Sequence, residues 1–401
     1  MCVRQDRDDI KNMPRRVVIG VGIASYPLHS AGNTWAFLQW VLGFRQAGWE
    51  VWMVEDVPSS KTIDANGQKC APALSANLAH WNAVTAEFGL KDHATLFFDG
   101  QADDITDLVR FARDAELFFN ISGHFRQRDV FGLPRERVYV DLDPAFTQIW
   151  AEVYKSDMHF DGHDTFVSIG RHLGRKDCLA PLAGQTWLPV GVPVMLDYFT
   201  NPRLDQPGAV WTTFTHWYGY PQVVYNEKWY GNKSEEFAKL VDLPRKTKEK
   251  LEIATDLHPE DETTGRFLAS GWSLIDARPL NTPWQRYRDY VAQSRGEFCV
   301  AKQGYVQSRC GWFSDRSATY LALGRPVILQ ETGWSDFYPQ GEGLLSFHDE
   351  ESAVVALETV AKDPVKHARA ARQIAEKYCS APVVVNQFLE TIGRATYITK
   401  A

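Results

Sequence analysis

The amino-acid sequence predicts an α/β protein made of two halves, each a parallel sheet with helices on its faces. Three observations lead there. At 401 residues the chain exceeds the size at which one hydrophobic core usually keeps growing. Short apolar strands alternate with helical patterns along most of its length. Between residues 188 and 207, Pro189, Pro193, Pro202 and Pro207 interrupt that alternation, and this stretch reads as the linker.

The first half opens with a strand at 17–21 that runs into a loop holding Gly20, Gly22, His29 and Gly32. A helix follows at 33–46, with Trp35, Leu38, Val41 and Leu42 at helical spacing and Gly48 just past its end. EVWMVE at 50–55 reads as the next strand. Strand, Gly-containing loop, helix, strand is the start of a Rossmann-like half. The glycines do not follow G-x-G-x-x-G, so a dinucleotide enzyme is not indicated. Helices are expected at 74–87 and 106–112, and strands at 116–121, 138–142 and 165–169. Several of these strands end in polar residues, among them His124 and Asp143, and strand ends are where open parallel sheets bind ligands; the pair His163-Asp164 precedes the strand at 165–169.

The second half begins with AVWTTF at 209–214 and continues through strands at 251–254, 271–275 and 297–301. The stretch 305–333, YVQSRCGWFSDRSATYLALGRPVILQETG, carries the strongest local pattern. A Gly- and aromatic-containing turn at 309–313 precedes two adjacent helix N-caps, Ser314 and Asp315. A helix at 316–323 stops at Gly324, and a strand at 327–329 runs into the polar loop Gln330-Glu331-Thr332-Gly333. Such a unit can form an anion pocket, because a helix N-terminus aims unpaired N–H groups at a phosphate. Arg309 and Arg316 add fork-shaped donors. An ordinary capped α/β turn uses the same residue types. Helices at 350–359, 364–377 and 383–397 complete the chain. The expected domains are 1–200 and 201–382, with 383–401 forming a terminal helix.

Composition narrows the function classes. The net charge of −7 argues against a broad nucleic-acid or membrane footprint. No apolar run approaches the length that spans a bilayer. The N-terminal stretch MCVRQDRDDIKNMPRR lacks an apolar signal region, which leads us to expect a cytoplasmic protein. Six cysteines, at 2, 70, 178, 299, 310 and 379, form no CxxC pair and suit buried reduced thiols. No metal site is expected: H-E-x-x-H and paired Cys/His spacings are absent, and Asp141-x-Asp143 alone arises readily by chance. The 14 Trp, 15 Tyr and 22 Phe belong mostly to cores, while those in loops such as His216-Trp217 and Gly311-Trp312 suit platforms for sugars or bases.

GFRQAGWEVWMVED near the start, and GWFSDRSATYLALGRPVILQETG followed by EGLLSF and the helix at 350–359, resemble GT-B glycosyltransferases. The likeness covers most of the chain in layout and is most specific over 296–347. It implies two Rossmann-like domains facing across a cleft, with the C-terminal helix crossing back to the first. It further implies that the second half binds a nucleotide-sugar donor, UDP-linked, and that the first half binds the acceptor. Carried onto this sequence, Arg309, Ser314, Arg316 and Thr332 would contact phosphate, Trp312 and Phe313 would lie near base or sugar, and Lys302 would add positive charge. Many such enzymes hold the donor ribose with a Glu where this chain has Thr319, so Asp315 or Glu331 is expected to take that task. For an inverting reaction the base candidates are His29 and, second, Asp143; a retaining reaction needs neither, and both outcomes stay open. Such enzymes handle leaving-group charge with helix dipoles and side-chain cations, so no metal or other cofactor is expected. The acceptor loops would be 26–29, 122–128 and 146–158. A small molecule fits them, and a nucleic acid is not excluded. Two alternatives remain: a non-hydrolysing sugar-nucleotide epimerase and a non-catalytic nucleotide- or sugar-binding module. The sequence does not define the oligomeric state.

Overall fold

The structure, a computed structural model, describes residues 15–26, 28, 31–201, 203–217, 219–281 and 284–398. It contains two parallel sheets with helices around them, the α/β architecture expected from the alternating pattern.

The first sheet comprises β1 (Arg16–Gly20), β2 (Glu50–Val57), β3 (Ala94–Phe98), β4 (Leu117–Ile121), β5 (Glu136–Asp141), β6 (Thr165–Ser168) and β7 (Trp187–Pro189). Their order across the sheet is β3-β2-β1-β4-β5-β6-β7. The reversal on either side of β1 is that of a doubly wound sheet. β1 and β4 are fully or almost fully buried apolar runs, as strands covered on both faces must be. β3 escaped the sequence reading because ATLFF lacks both strict alternation and a fully apolar run, and only Phe97 is deeply buried.

The second sheet comprises β8 (Val210–Thr215), β11 (Lys250–Thr255), β12 (Ser273–Asp276), β13 (Gly296–Cys299), β14 (Val327–Gln330) and β15 (Leu344–Phe347). Its order is β12-β11-β8-β13-β14-β15, again reversing at the first strand. A separate antiparallel ribbon pairs β9 (Val223–Tyr225) with β10 (Lys228–Tyr230), and its turn residues Asn226 and Glu227 both have positive φ. The core of this half includes Trp211, Phe237, Phe267, Trp272, Phe298 and Phe347. Phe298 and Phe347 stack with their centroids 4.9 Å apart.

Contacts divide the chain into two compact units that do not follow the order of the sequence. Trp40–Val140 and His159–Thr165 belong to one, together with β1; Leu28–Gln39, Asp141–Met158 and everything from Phe166 onward belong to the other. The proline-marked stretch is more structured than a free linker. β7 opens it, Val190 donates to the Ser168 carbonyl at 3.0 Å, and Val194 exchanges backbone hydrogen bonds with Cys379 and Ala381 at 2.7 and 3.0 Å. The start of the last helix, Ala381–Ile398, is thereby tied to the chain just beyond β7. The preceding helix is regular only over Pro364–Ile374 and continues as a π-turn over Ala375–Cys379, two residues past the expected end.

Candidate functional site

Beyond the C-terminal ends of β13 and β14 the chain forms two interlocked turns. After β13 a short helix, Gln303–Ser308, stops at Arg309 in the left-handed region, with φ of 50°. The chain then turns through Gly311 before the helix Asp315–Ala322. Gly311 donates its N–H to the Thr332 carbonyl at 2.7 Å, and the Thr332 hydroxyl donates back to the Trp312 carbonyl at 2.6 Å. The turn after β14 is therefore latched to the turn before the helix. Gly333 completes it by donating to the Glu331 carboxylate at 2.5 Å.

His172, fully buried, is wedged between the two turns. Its ring nitrogens face acceptors, Asp336 at 3.0 Å and the Arg309 carbonyl at 3.2 Å, and its backbone N–H donates to the Cys310 carbonyl. Gly311 and Gly333 have φ of 77° and 97°, and a Cβ on either would sit 2.7 and 2.4 Å from His172 atoms. Only glycine satisfies both the backbone and the close approach.

Three cations gather near these turns. Arg316 donates from Nε to Glu297 at 2.5 Å and approaches the Cys299 thiol at 3.2 Å. Glu297 is fully buried and also accepts from the Ser317 hydroxyl at 2.5 Å, so this ion pair is hydrogen-bonded on both carboxylate oxygens. Lys233 begins the helix Lys233–Ala238. Its ammonium has no hydrogen-bond or ion-pair partner among the described residues. Burial, then the charges of Arg316 and Lys302, pull its pKa down to about 8. Hydrogen bonds tie its turn to that of Lys302: Gln303 donates to the Asn232 carbonyl and Gly304 to the Gly231 carbonyl, and Gly231 donates to the Gln303 side chain.

Lys302 faces a carboxylate. Its ammonium donates to both oxygens of Asp143 at 3.0 Å, and the Tyr305 hydroxyl donates to the same carboxylate. The ammonium also lies over the rings of Tyr220 (4.2 Å), Phe146 (5.1 Å) and Tyr305 (5.2 Å). Burial and the adjacent Asp143 charge hold the Tyr305 phenol well above its ordinary pKa, so it stays a donor. Asp143 owes its position to Asp141 at the end of β5. Fully buried, Asp141 accepts from the side chains of Ser168 (2.6 Å), Thr147 (2.7 Å) and Gln148 (3.0 Å) and from the Asp143 N–H (2.9 Å). Burial raises its pKa. Asp141 is thus occupied in holding the turn.

The residues singled out from sequence fall into three groups. Asp143 and Lys302 are brought together, and Arg316 lies close to Lys233, a residue that sequence reasoning missed. Trp312, Phe313, Ser314 and Thr332 are buried: Trp312 packs on Tyr305 at 4.8 Å, Phe313 stacks on Tyr338 at 4.2 Å, and the Thr332 hydroxyl is engaged with the backbone. Ser314 occupies the N-cap position, but its side chain makes no cap hydrogen bond, and Asp315 is the first helical residue rather than a second cap. The backbone N–H groups of Asp315 and Arg316 at this helix start are met by the Asp315 carboxylate itself. Burial raises the pKa of Asp315, opposed by Arg316 and Lys233. Thr319 turns its hydroxyl back to the Asp315 carbonyl at 3.4 Å. Arg309 stands apart: its side chain is 57 % exposed and faces Asp177 at 3.5 Å. His29 lies outside the described residues. Besides Lys233, the sequence reading missed His172 and Glu297. His172 follows Gly170-Arg171 without any motif, and Glu297 looks like an ordinary strand residue.

The strand ends of the first unit are organised differently. Glu55, 1 % exposed, accepts from the N–H groups of Ala24 and Ser25 and from the Ser25 hydroxyl, each at 2.7 Å. Burial lifts its pKa to about 7 against those bonds. Asn120 brackets Phe125 through its N–H and carbonyl at 3.1 and 2.9 Å, fixing the turn over Ser122 and Gly123. His124 in that turn is held at a pKa of about 4 by burial and then by nearby His159, Lys61 and Arg126. Among the described residues, no group of His, Cys, Asp and Glu is placed to hold a metal ion, and no helix is long and apolar enough to cross a membrane.

No protein-family model matches the sequence, and no curated protein matches it. Solved structures do resemble it. An α-glucosyltransferase in complex with UDP and a 13-mer DNA containing an HMU base aligns with a TM-score of 0.56 at 8 % identity, over 95 % of this chain and all of that one. Anabaena Alr3699/HepE in complex with UDP-glucose aligns at 0.53 and 10 % identity, over 94 % and 99 % of the two chains. AviGT4, a glycosyltransferase involved in avilamycin A biosynthesis, aligns at 0.50 and 14 % identity, over 95 % and 98 %. At such identities the likeness speaks to architecture, and the architecture of this chain, two Rossmann-like parallel α/β sheets, is that of the GT-B glycosyltransferases.

Proposed function

We propose that the protein is a glycosyltransferase that moves a sugar from a nucleotide sugar, UDP-linked, to an acceptor hydroxyl. The observation that carries this reading is Lys233: a partly enclosed ammonium with no ion-pair partner among the described residues, beside Arg316 and Lys302. Burying a cation without a partner is costly, and a dianionic diphosphate would relieve that cost. Two of the solved structures that share the fold were determined with UDP or UDP-glucose, which supports the choice of donor.

In this reading the C–O bond between the anomeric carbon and the diphosphate breaks, and the charge left on the diphosphate is met by Lys233, Arg316 and Lys302. These side chains can supply the charge compensation without a metal ion. Asp143 accepts the proton of an acceptor hydroxyl in an inverting reaction. Trp312 and Tyr305 form the aromatic wall beside it.

Calorimetric titration with UDP, TDP, GDP and their sugar conjugates tests the donor side, and UDP release with and without an acceptor panel tests turnover. Binding of one nucleoside diphosphate in the micromolar range, lost in Lys233→Gln, is the expected result. Epimerised sugar nucleotide formed without acceptor would instead assign the fold to isomerisation. Absence of binding to every nucleotide would end the proposal.

A further inference from the structure

We infer that Lys302 is a switch shared between Asp143 and the donor's diphosphate, so that donor binding frees the carboxylate that takes the acceptor proton. This rests on the glycosyltransferase reading above and adds the order of events. Without donor, Lys302 contacts both Asp143 oxygens at 3.0 Å and the Tyr305 hydroxyl bonds the same carboxylate. A carboxylate whose two oxygens are both engaged is closed to an acceptor hydroxyl. The donor-free protein therefore carries a masked base.

Three features allow the ammonium to leave. Its backbone is fixed: Lys302 sits at the start of Gln303–Ser308, and its carbonyl accepts from Tyr305 and Val306, so only side-chain rotation is needed. Rings surround it where it sits. The ammonium lies 4.2 to 5.2 Å from the faces of Tyr220, Phe146 and Tyr305, and cation–π attraction persists while the salt bridge breaks. Its destination is near. Lys302 already raises the electrostatic cost of the Lys233 charge, and the two turns are hydrogen-bonded together. A bound diphosphate turns that repulsion into shared attraction and competes with the single charge of Asp143.

Once Lys302 moves, the step balances. The acceptor O–H proton passes to an Asp143 oxygen while the acceptor oxygen bonds to the anomeric carbon. The electron pair of the breaking sugar–phosphate bond stays on the diphosphate. The Tyr305 hydroxyl remains to orient the carboxylate. Closing order is built in, since the base is unmasked only when a donor is present.

Competition makes a counter-intuitive prediction. Asp143→Asn removes the rival for Lys302, so UDP should bind roughly three- to tenfold more tightly even as transfer activity is lost. In a Lys302→Gln background the same substitution should change UDP affinity less than twofold. A merely structural Asp143 predicts unchanged or weaker binding in both backgrounds. Circular dichroism checks folding, and Asp143→Ala replaces Asp143→Asn should the latter not fold. If the wild-type protein binds UDP but Asp143→Asn and Asp143→Ala do not tighten it, the switch is overturned while the donor site stands. If the wild type binds no nucleotide, both readings fall.

Discussion

The two sheets end in opposite kinds of polar chemistry. At the strand ends of the first, acidic and amide groups are consumed internally: Glu55 gathers the N–H groups of the β1 loop, Asn120 brackets Phe125, and Asp141 collects three side chains and a backbone N–H. In the second, Glu297 and Arg316 satisfy each other, while the Lys233 ammonium has no ion-pair partner among the described residues. Buried polar groups that are satisfied at home make scaffold, whereas one left without a partner points to a ligand. Substitutions at the two ends should therefore fail in different assays.

The largest effect should fall on the scaffold side. Asp141→Ala strands the hydroxyls of Ser168 and Thr147 and the Gln148 amide without their acceptor, and should cost about 3 kcal/mol of folding stability, read as a lower urea midpoint. Lys233→Gln should invert that pattern. Nucleotide affinity should fall about a hundredfold, the size expected for losing a charged contact to phosphate, while thermal stability holds or rises because an uncompensated cation has gone. Equal stability losses in the two variants would erase the distinction drawn here.

A smaller effect separates backbone strain from crowding. Gly333 and Gly341 have similar φ, 97° and 102°, but a Cβ meets His172 at 2.4 Å in the first and nothing within 4 Å in the second. Gly341→Ala should cost about 1 kcal/mol from the left-handed backbone alone. Gly333→Ala should cost about 2 kcal/mol and also weaken nucleotide binding, because His172 and the latched turns must shift. Matching melting curves would mean that His172 yields freely.

The scaffold was more legible in the sequence than the site. β1, β4 and β14 announce themselves because strands buried on both faces are mostly apolar runs. Gly48 and Gly324 mark helix ends because left-handed stops favour glycine. The site depends instead on tertiary coincidence. Lys302 and Asp143 are 159 residues apart, and no local pattern says that they share a salt bridge. Lys233 follows Gly231-Asn232 in an unremarkable turn, and what distinguishes it is the lack of a partner, a property of the folded chain alone. Arg309 and Arg316 looked equivalent as phosphate donors. The left-handed turn at Arg309 sends one toward Asp177, and the first helical turn points the other to Glu297.

The finest test is pH dependence, and its sign follows from the direction of the Lys233 shift. Burial and neighbouring cations lower its pKa to about 8, so the unliganded protein holds the charged form only below that value. The second ionisation of a phosphate lies near pH 6, so a diphosphate is fully charged through the window above it. Affinity for UDP should thus be at its plateau near pH 7 and fall roughly tenfold by pH 9, as protonating Lys233 must be added to the binding step. An ordinary exposed lysine would hold its charge to about pH 10 and give a flat curve over that range. Lys233→Arg, which stays protonated, should flatten the wild-type slope even where its geometry weakens binding. A slope that persists in that variant would assign the titration to another group and remove Lys233 from the diphosphate site.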